Sequence, residues 1–459
     1  MVYSMINVEA ASILIFVLTW ILMIKRPWNI KLGIASGLGA LLSLVFGVIS
    51  LNDVFEALEI VWDAALAFIG ILILSATLNA MGFFKWAAMK IINLAHGSGV
   101  KVYFYITLLT ALVSILFAND TAILILTPIV IEIIRQPTIP YEGRIAYIFA
   151  TGLIADTAAM PFITSNPVNI VSADFFKYTF IDHLKFMGPI AIPTIIISIF
   201  VVYSIFKKSI PKKFLEDVHQ MLHYPMDPMD LKVIIAVLVS IDLGYVYTSL
   251  HRIPVSIILF SGAIVLLLYY AVTRKTIFVT PKSKYVMPEE AKGVVNILLE
   301  VNWDILVFMV GIFLVVQGLK HIGIETLFAN LLLWGSEFPS ILSTVIPSLI
   351  VTIGASFMNN WPMTMIGLIS IEKAYTQCNP SQKLYYNLIF SNIIGNNLGP
   401  HFFPFGSLAI LMWLEIVRSR GLNIRLRDYL KIGGMLSIIE VITASTILWV
   451  ELYILHFQF

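Results

Sequence analysis

The sequence predicts an all-α polytopic membrane protein made of two inverted repeats of about five transmembrane helices, each with a re-entrant hairpin and a broken helix. Three observations carry this. Of 459 residues, 59% are hydrophobic and only 12% charged, against roughly 25% charged in soluble domains, and mean hydropathy is +0.92. Motifs recur about 240 residues apart: Trp62-Asp63 with Gly70-Ile71 returns as Trp303-Asp304 with Gly311-Ile312, Phe117-Ala118-Asn119-Asp120 as Phe357-Met358-Asn359-Asn360, and Ile154-Ala155-Asp156-Thr157 as Ile394-Gly395-Asn396-Asn397. Finally, the clusters of lysines and arginines fall in loops that a consistent count of spans puts on one side. Inverted repeats with polar breaks in corresponding helices mark a secondary transporter whose binding site lies near the bilayer midplane.

Taken in order, apolar runs long enough to cross ~30 Å of hydrocarbon begin near Val8, Lys31, Trp62, Phe186, Leu231, Ile253, Trp303 and Ile432. The first, Val8 to Ile24, is followed rather than preceded by Lys25 and Arg26, so it reads as a span and not a cleavable signal peptide. Two further crossings are broken: 144–176 through Asp156 and Thr164-Ser165-Asn166-Pro167, and 383–417 through Asn396-Asn397-Leu398-Gly399-Pro400. Unwound backbone at that depth is tolerated only against protein or a wet cavity. Segments 102–134 and 339–371 have short apolar arms around Asn119-Asp120 and Asn359-Asn360, which suggests re-entrant hairpins. The expected plan is a first repeat over 1–206, a cytoplasmic linker over 207–230 and a second repeat over 231–459. The linker holds Pro211, Pro225, Pro228 and a lysine cluster, and is too short for a nucleotide site; no phosphate-cradling glycine loop is present. Phe84 to His96 alternates basic and apolar residues as an interfacial amphipathic helix does.

Charge placement orients the chain. Lys25, Arg26, Lys31, Lys85, Lys90, Lys101, Arg135, Arg144, Lys207, Lys208, Lys212 and Lys213 fall inside, and Asp53, Glu56 and Glu59 outside. In the second half Arg274, Lys275, Lys282, Lys284, Lys292, Arg418, Arg420, Arg425, Arg427 and Lys431 fall inside again. The scheme has about ten crossings with both termini outside, or about fourteen if both hairpin arms span fully. The net charge of +2 reflects these loops and does not point to nucleic acid. A single cysteine, Cys378, excludes an intrachain disulfide and a cysteine-rich metal site, and the eight histidines show no ligand spacing. No cofactor or resident metal is expected, with a proton gradient as the expected energy source.

Asp120 and Asp156 are acids placed by pattern at membrane depth. An ionised carboxylate there is costly, as a proton carrier requires; the alternative is that each caps the half-helix that follows it. Asn119, Thr157, Thr164, Ser165, Asn166, Asn359, Asn360, Asn396, Asn397 and Ser407 offer amides and hydroxyls suited to a neutral polyhydroxylated solute or a weakly hydrated cation. Alternatively they satisfy backbone freed by the breaks. Free half-helix N-termini would favour electron-rich oxygen on the solute. His401 directly follows the second break and is a further proton-handling candidate. Trp62-Asp63 and Trp303-Asp304 read as interfacial tryptophans with helix-capping aspartates, and Asp242 and Glu440 stand outside the repeated motifs.

Two long stretches are diagnostic: Phe117-Ala118-Asn119-Asp120 continuing into Leu124-Ile125-Leu126-Thr127-Pro128-Ile129-Val130, and Ala155-Asp156-Thr157-Ala158-Ala159-Met160-Pro161 continuing into Ser165-Asn166-Pro167-Val168-Asn169. With Met358-Asn359-Asn360, Leu398-Gly399-Pro400 and Gly406-Ser407-Leu408-Ala409 in the second half, the chain resembles, over nearly its whole length, the bacterial arsenite efflux permeases, the ArsB family of the ion transporter superfamily. The resemblance implies extrusion of arsenite, and similarly antimonite, across the bacterial inner membrane in exchange for protons, in some cases with a soluble arsenite-stimulated ATPase on the cytoplasmic face. Family members commonly have Asn-Asp-Gly where this chain has Asn119-Asp120-Thr121, and Asn-Asn-Met-Pro-Thr where it has Asn359-Asn360-Trp361-Pro362-Met363. Many carry Asp-Leu-Gly-Pro-Lys where it has Asn397-Leu398-Gly399-Pro400-His401. Acid and base are weakened together, so coupling is expected to rest on the first-repeat aspartates.

One cysteine cannot wrap thiophilic arsenic in three sulfurs, so the solute should be recognised as its neutral hydroxide through hydrogen bonds. Other readings are a sodium/proton antiporter or an oxyanion or dicarboxylate carrier of the same superfamily. From a different class comes a membrane-embedded enzyme using Asp120 and Asp156 as an acid/base pair.

Overall fold

The computed structural model describes residues 8–135, 139–213, 226–274 and 293–457. Among them the secondary structure is helical, with no named strand. Residues 214–225 of the expected linker, and Lys275, Lys282, Lys284 and Lys292 of the basic loop, lie outside the described residues.

The first half runs α1 (Val8–Lys25), α2 (Leu32–Val45), α3 (Leu51–Ala80), α4 (Phe83–Leu94), α5 (Gly99–Phe117), α6 (Asn119–Ile134), α7 (Tyr141–Thr157), α8 (Pro167–Phe176) and α9 (Phe180–Phe206). The second runs α10 (Pro228–His251), α11 (Val255–Arg274), α12 (Val294–Glu300), α13 (Asp304–Lys320), α14 (Ile324–Ser336), α15 (Leu342–Met358), α16 (Asn360–Cys378), α17 (Gln382–Leu398), α18 (Leu408–Ser419) and α19 (Leu426–Trp449), which ends in a π turn over Val450–Ile454. Both halves break their helices after corresponding motifs, at Ala118 and Asn359 and after Thr157 and Leu398, with α12 and α13 together in the place of α3.

By length and composition, eight of the described helical segments can cross a bilayer. One is α5, with 19 residues, a longer arm than the short ones expected of the first hairpin. By contrast α2 and α15 are shorter apolar helices. The amphipathic segment after the third span is realised as α4, which buries Phe84, Ala88, Met89 and Ile92.

The Trp62-Asp63 reading is corrected. Ser50 starts α3 through a capping box with Asp53, whose backbone N–H donates to Ser50 Oγ at 3.3 Å while Asp53 Oδ2 accepts from Ser50 N at 2.6 Å. No helix breaker follows, so α3 runs 30 residues and Asp63 sits in its interior, 3% exposed. In the second copy the helix is interrupted between Glu300 and Asp304, and Asp304 lies in the first turn of α13. Its Oδ2 accepts from Gly33 N at 2.9 Å. Identical dipeptides thus serve as a buried acid in one half and a helix-start acid in the other.

The most extensive helix pairs are α3 with α11 and α2 with α13, each joining the two halves. The repeated glycine of the Trp-Asp motif makes both possible. A Cβ at Gly70 would stand 3.0 Å from Phe260 N in α11, and one at Gly311 would stand 2.7 Å from Ser36 Oγ in α2, so only glycine lets the backbones approach this closely.

Loop contacts sort the chain into two ends. At one, Arg135 Nη2 donates to Arg420 O at 2.7 Å, Tyr141 Oη to Asn423 O at 2.7 Å, and Ser98 bridges to Lys213. At the other, His321 Nε2 lies 3.5 Å from Asp53 Oδ1, Ile181 N donates to Ser249 Oγ at 3.2 Å, and Lys383 Nζ lies 2.8 Å from His456 Nδ1.

Candidate functional site

Each hairpin turns on one residue outside the helical region. Ala118 has φ 67° and ψ 156°, and Asn359 has φ 82° and ψ 149°. A side chain at such angles is strained, and strain of this kind is held only where surrounding packing over-determines it; both residues are buried. The turn aims Asn119 inward, where its Nδ2 donates to Asp156 Oδ1 at 2.7 Å. Asp120 follows in the first turn of α6, within electrostatic reach of Asp156 and on the favourable end of the helix dipole. In the other hairpin Asn359 accepts from Trp361 N at 3.2 Å and donates to Phe405 O at 3.1 Å.

The broken helices meet crosswise. Asn166 caps α8 by accepting from Val168 N at 3.3 Å, and Ser407 caps α18 by accepting from Ile410 N at 3.4 Å. Asn166 Nδ2 also donates to Asn397 Oδ1 at 2.9 Å, at the end of α17, and Ser407 Oγ donates to Asp156 Oδ1 at 3.4 Å, at the end of α7. This overturns the capping alternative for Asp156. It lies in the last turn of α7, where the helix dipole disfavours a carboxylate, and the capping falls to Asn166 and Ser407.

A buried polar chain extends from there. His401 Nε2 is 3.7 Å from Asp156 Oδ2, and His401 Nδ1 is 2.7 Å from Glu440 Oε2. Glu440 Oε1 accepts from Thr157 Oγ1 at 2.7 Å and from Ser198 Oγ at 2.6 Å. Asp156 is 1% exposed, and His401 and Glu440 are both 0%. An imidazole between two carboxylates, one carboxylate further held by two hydroxyls, can keep and pass a proton at a depth where an unpaired charge is unaffordable. Carbonyls freed at the second break are satisfied locally: Tyr429 Oη donates to Pro400 O at 3.0 Å, Ser437 Oγ to Leu398 O at 2.9 Å and Ser356 Oγ to Gly399 O at 2.7 Å.

Asn119, Asp120, Asp156, Thr157, His401 and Ser407 are therefore brought together, with Asn166 and Asn397 forming the matching joint beside them. Others serve the backbone or another neighbour. Ser165 Oγ donates to Ile115 O at 2.8 Å, and Asn396 Nδ2 to Asn392 O at 2.8 Å within α17. Thr164 lies against the Tyr245 hydroxyl. Asn360 is buried at the second hairpin tip with its Oδ1 unpartnered. Glu440, outside the repeated motifs, joins them through His401 and Thr157. Its signal was there to read: a glutamate within the long apolar helix α19 needs a partner from elsewhere.

Among the described residues no group of three or more His, Cys, Asp or Glu side chains is placed to hold a metal ion, and Cys378 is free and exposed. A cavity of ≈ 870 Å³ lined by Arg26, Lys31, Asp304, Phe405, Arg418 and Tyr429, among others, leads from one end of the molecule to the loop that Asn359 holds.

Comparison with known proteins agrees with this architecture. The ArsB family model, arsenical pump membrane protein, matches residues 11–456. An arsenical pump membrane protein of Escherichia coli is 33% identical over 92% of this chain and 94% of its own length, and that of Yersinia enterocolitica is 34% identical with the same coverage. The YdaH transporter of Alcanivorax borkumensis, whose crystal structure is described as having an unusual topology, superposes with a TM-score of 0.54 over 88% of each chain at 11% identity, a likeness of fold alone. With a family match over nearly every residue and relatives this similar along their full length, the chain belongs to the ArsB family of arsenical pump membrane proteins and is a multi-pass membrane transporter, not an enzyme.

Proposed function

We propose that this transporter extrudes arsenite, and antimonite likewise, in exchange for protons by alternating access between two inverted repeats. The observation that carries the reading is the contact set on Asp156, where Asn119 of a hairpin, Ser407 of the opposite half and His401 converge on one buried carboxylate. Neutral arsenous acid presents hydroxyls that donate and accept hydrogen bonds and needs no counter-charge. It can compete for the amide and hydroxyl groups that hold Asp156, and protonation of Asp156 changes how strongly they are held.

Basic loops mark the cytoplasmic end, and the ≈ 870 Å³ cavity there is the route by which solute reaches Phe405, Asn359 and the hairpin tips. Exchange with one proton moves one charge inward, worth ~2.3 kcal/mol per 100 mV, enough to hold a gradient on the order of a hundredfold at a typical potential without ATP. An oxyanion carrier would need a cation free to meet its substrate, whereas His401 is held between Asp156 and Glu440.

The test is arsenite-driven proton movement in liposomes holding the purified protein, with sodium, citrate and sulfate as parallel solutes. An arsenite-specific signal is expected. Silence to arsenite with a response to another solute would overturn the substrate while keeping the architecture.

A further inference from the structure

A second cavity, of ≈ 330 Å³, lies at the end of the molecule opposite the basic loops and is lined by Asp63, Asp174, Lys177, Tyr178, Ser249 and Arg252, among others. Two acids meet there, Asp63 buried and Asp174 half-buried. Asp63 is 3% exposed; its Oδ1 accepts from Ser256 Oγ of α11, and its Oδ2 is buried without a hydrogen-bond partner. Asp174, near the end of α8, likewise has a buried, unpartnered Oδ2, and its carboxyl is within hydrogen-bonding reach of Asp63. Lys177 caps α8 at the cavity rim, within electrostatic reach of Asp174, and Arg252 caps α10.

Two facing carboxyl oxygens with no other partner are both satisfied by one proton shared between them. We propose that the Asp63–Asp174 carboxyl pair is the outward-facing proton-loading site of this transporter, taking one proton from the external solution ahead of its transfer toward Asp156. This rests on the proton-exchange reading above. The groups around the pair support an inward path. Tyr178 stacks on His183 of α9, with ring centroids 5.8 Å apart, and His183, fully buried, places Nε2 2.9 Å from Met160 O. Met160 lies four residues beyond Asp156, in the same break. Facing the pair are Lys177 and Tyr178 beyond α8, Arg252 from the end of α10 and Ser256 from α11, while Asp182 and His183 of α9 lie beside Tyr178. A carboxyl pair with a single hydroxyl ligand is poorly furnished for a metal ion, which wants six or more oxygens if it is calcium.

The test uses the full-length protein in liposomes and two readouts. Infrared difference spectroscopy near neutral pH counts carboxylic-acid carbonyls. Asp63→Asn and Asp174→Asn should each remove the same one acid, and the double variant should remove no more than either alone. Losses that add, or no loss at all, would overturn the shared proton. The second readout is arsenite efflux against external pH: the rise in rate on external acidification should flatten by about tenfold in both variants. An unchanged profile would reduce the pair to a structural acid dimer and overturn the loading role. If the wild type moves no protons with arsenite, the exchange reading and the loading role fall together, whereas an unchanged profile in the variants alone strikes only the loading role.

Discussion

Asn166 Nδ2 donates to Asn397 Oδ1 at 2.9 Å across 231 residues of chain, and the counterpart contact in the other half is Ser407 to Asp156 at 3.4 Å. In each, the residue that caps one half-helix meets the last turn of a half-helix from the opposite half. The chemistry differs. Asn397 spends its own amide on Asn169 Oδ1 at 2.8 Å and Ile393 O at 2.9 Å, so that joint is neutral and fully bonded. Asp156 leaves Oδ2 facing His401 across 3.7 Å, so the second joint is the one whose strength depends on a proton.

Asp156→Asn should therefore keep the fold and lose the coupling. An asparagine can still accept from Asn119 and Ser407, but it cannot take up or release a proton. Arsenite-driven proton movement should be abolished while the protein remains folded, because the group that carries the proton is gone and its hydrogen bonds are not. Full exchange in this variant would remove Asp156 from the coupling role.

Glu440 and His401 should behave as a unit. Glu440→Ala and His401→Ala each break the 2.7 Å contact, and a double-mutant cycle on thermal stability in detergent should show a coupling energy of about 1–3 kcal/mol. Strictly additive losses would mean that the pair is not interacting in the folded protein.

Restoring an acid at the neutral joint should harm the protein rather than help it. Asn397→Asp removes the donor to Asn169 Oδ1 and Ile393 O and sets oxygen against oxygen in a site 1% exposed. We expect a loss of about 1–3 kcal/mol of stability, visible as a lower Tm, with recovery on adding Asn169→His as a cationic donor. A variant as stable as the parent would show that the amide orientation is not as described.

Gly433→Ala probes the link between α19 and the second break. A Cβ there would stand 2.3 Å from the His401 carbonyl oxygen, and backbone must move to admit it. The cost should be about 1–3 kcal/mol, and because the shift displaces His401, exchange should fall with stability.

Cys378→Ser should be neutral for transport and expression, since the thiol is free and exposed at the end of α16. In the parent protein the same residue should react with a membrane-impermeant maleimide added outside intact cells. Labelling only after permeabilisation would reverse the proposed orientation.

How much of this was legible in advance depended on the kind of contact. Hydropathy and the recurrence of polar breaks pointed to the turns at Ala118 and Asn359 and to the helix ends at Thr157 and Leu398, because a break inside an apolar run is a local property of the chain, whereas α16 runs on to Cys378, beyond the expected 371. Asp120, Asp156, Asn119 and His401 stood out for the same reason. Glu440 did not, since its partners Thr157 and Ser198 lie 283 and 242 residues away and no local pattern links them. Asp63 was misread because its dipeptide matches a helix start, while the stronger capping box at Ser50 had already begun the helix. Ser165 and Asn396 were legible as polar residues at depth, but only the folded chain shows them bonded to Ile115 and Asn392 backbone.

The sequence by itself determined the membrane environment, the paired order of helices and breaks, and the family, because these follow from apolar run length and from motifs read along the chain. Tertiary structure decided which polar groups act together. Hairpin tips and half-helix ends from distant parts of the chain converge where α6 and α7 pack on α18 and α9 packs on α19, and in a medium without water every buried polar group must find its partner wherever packing has placed one.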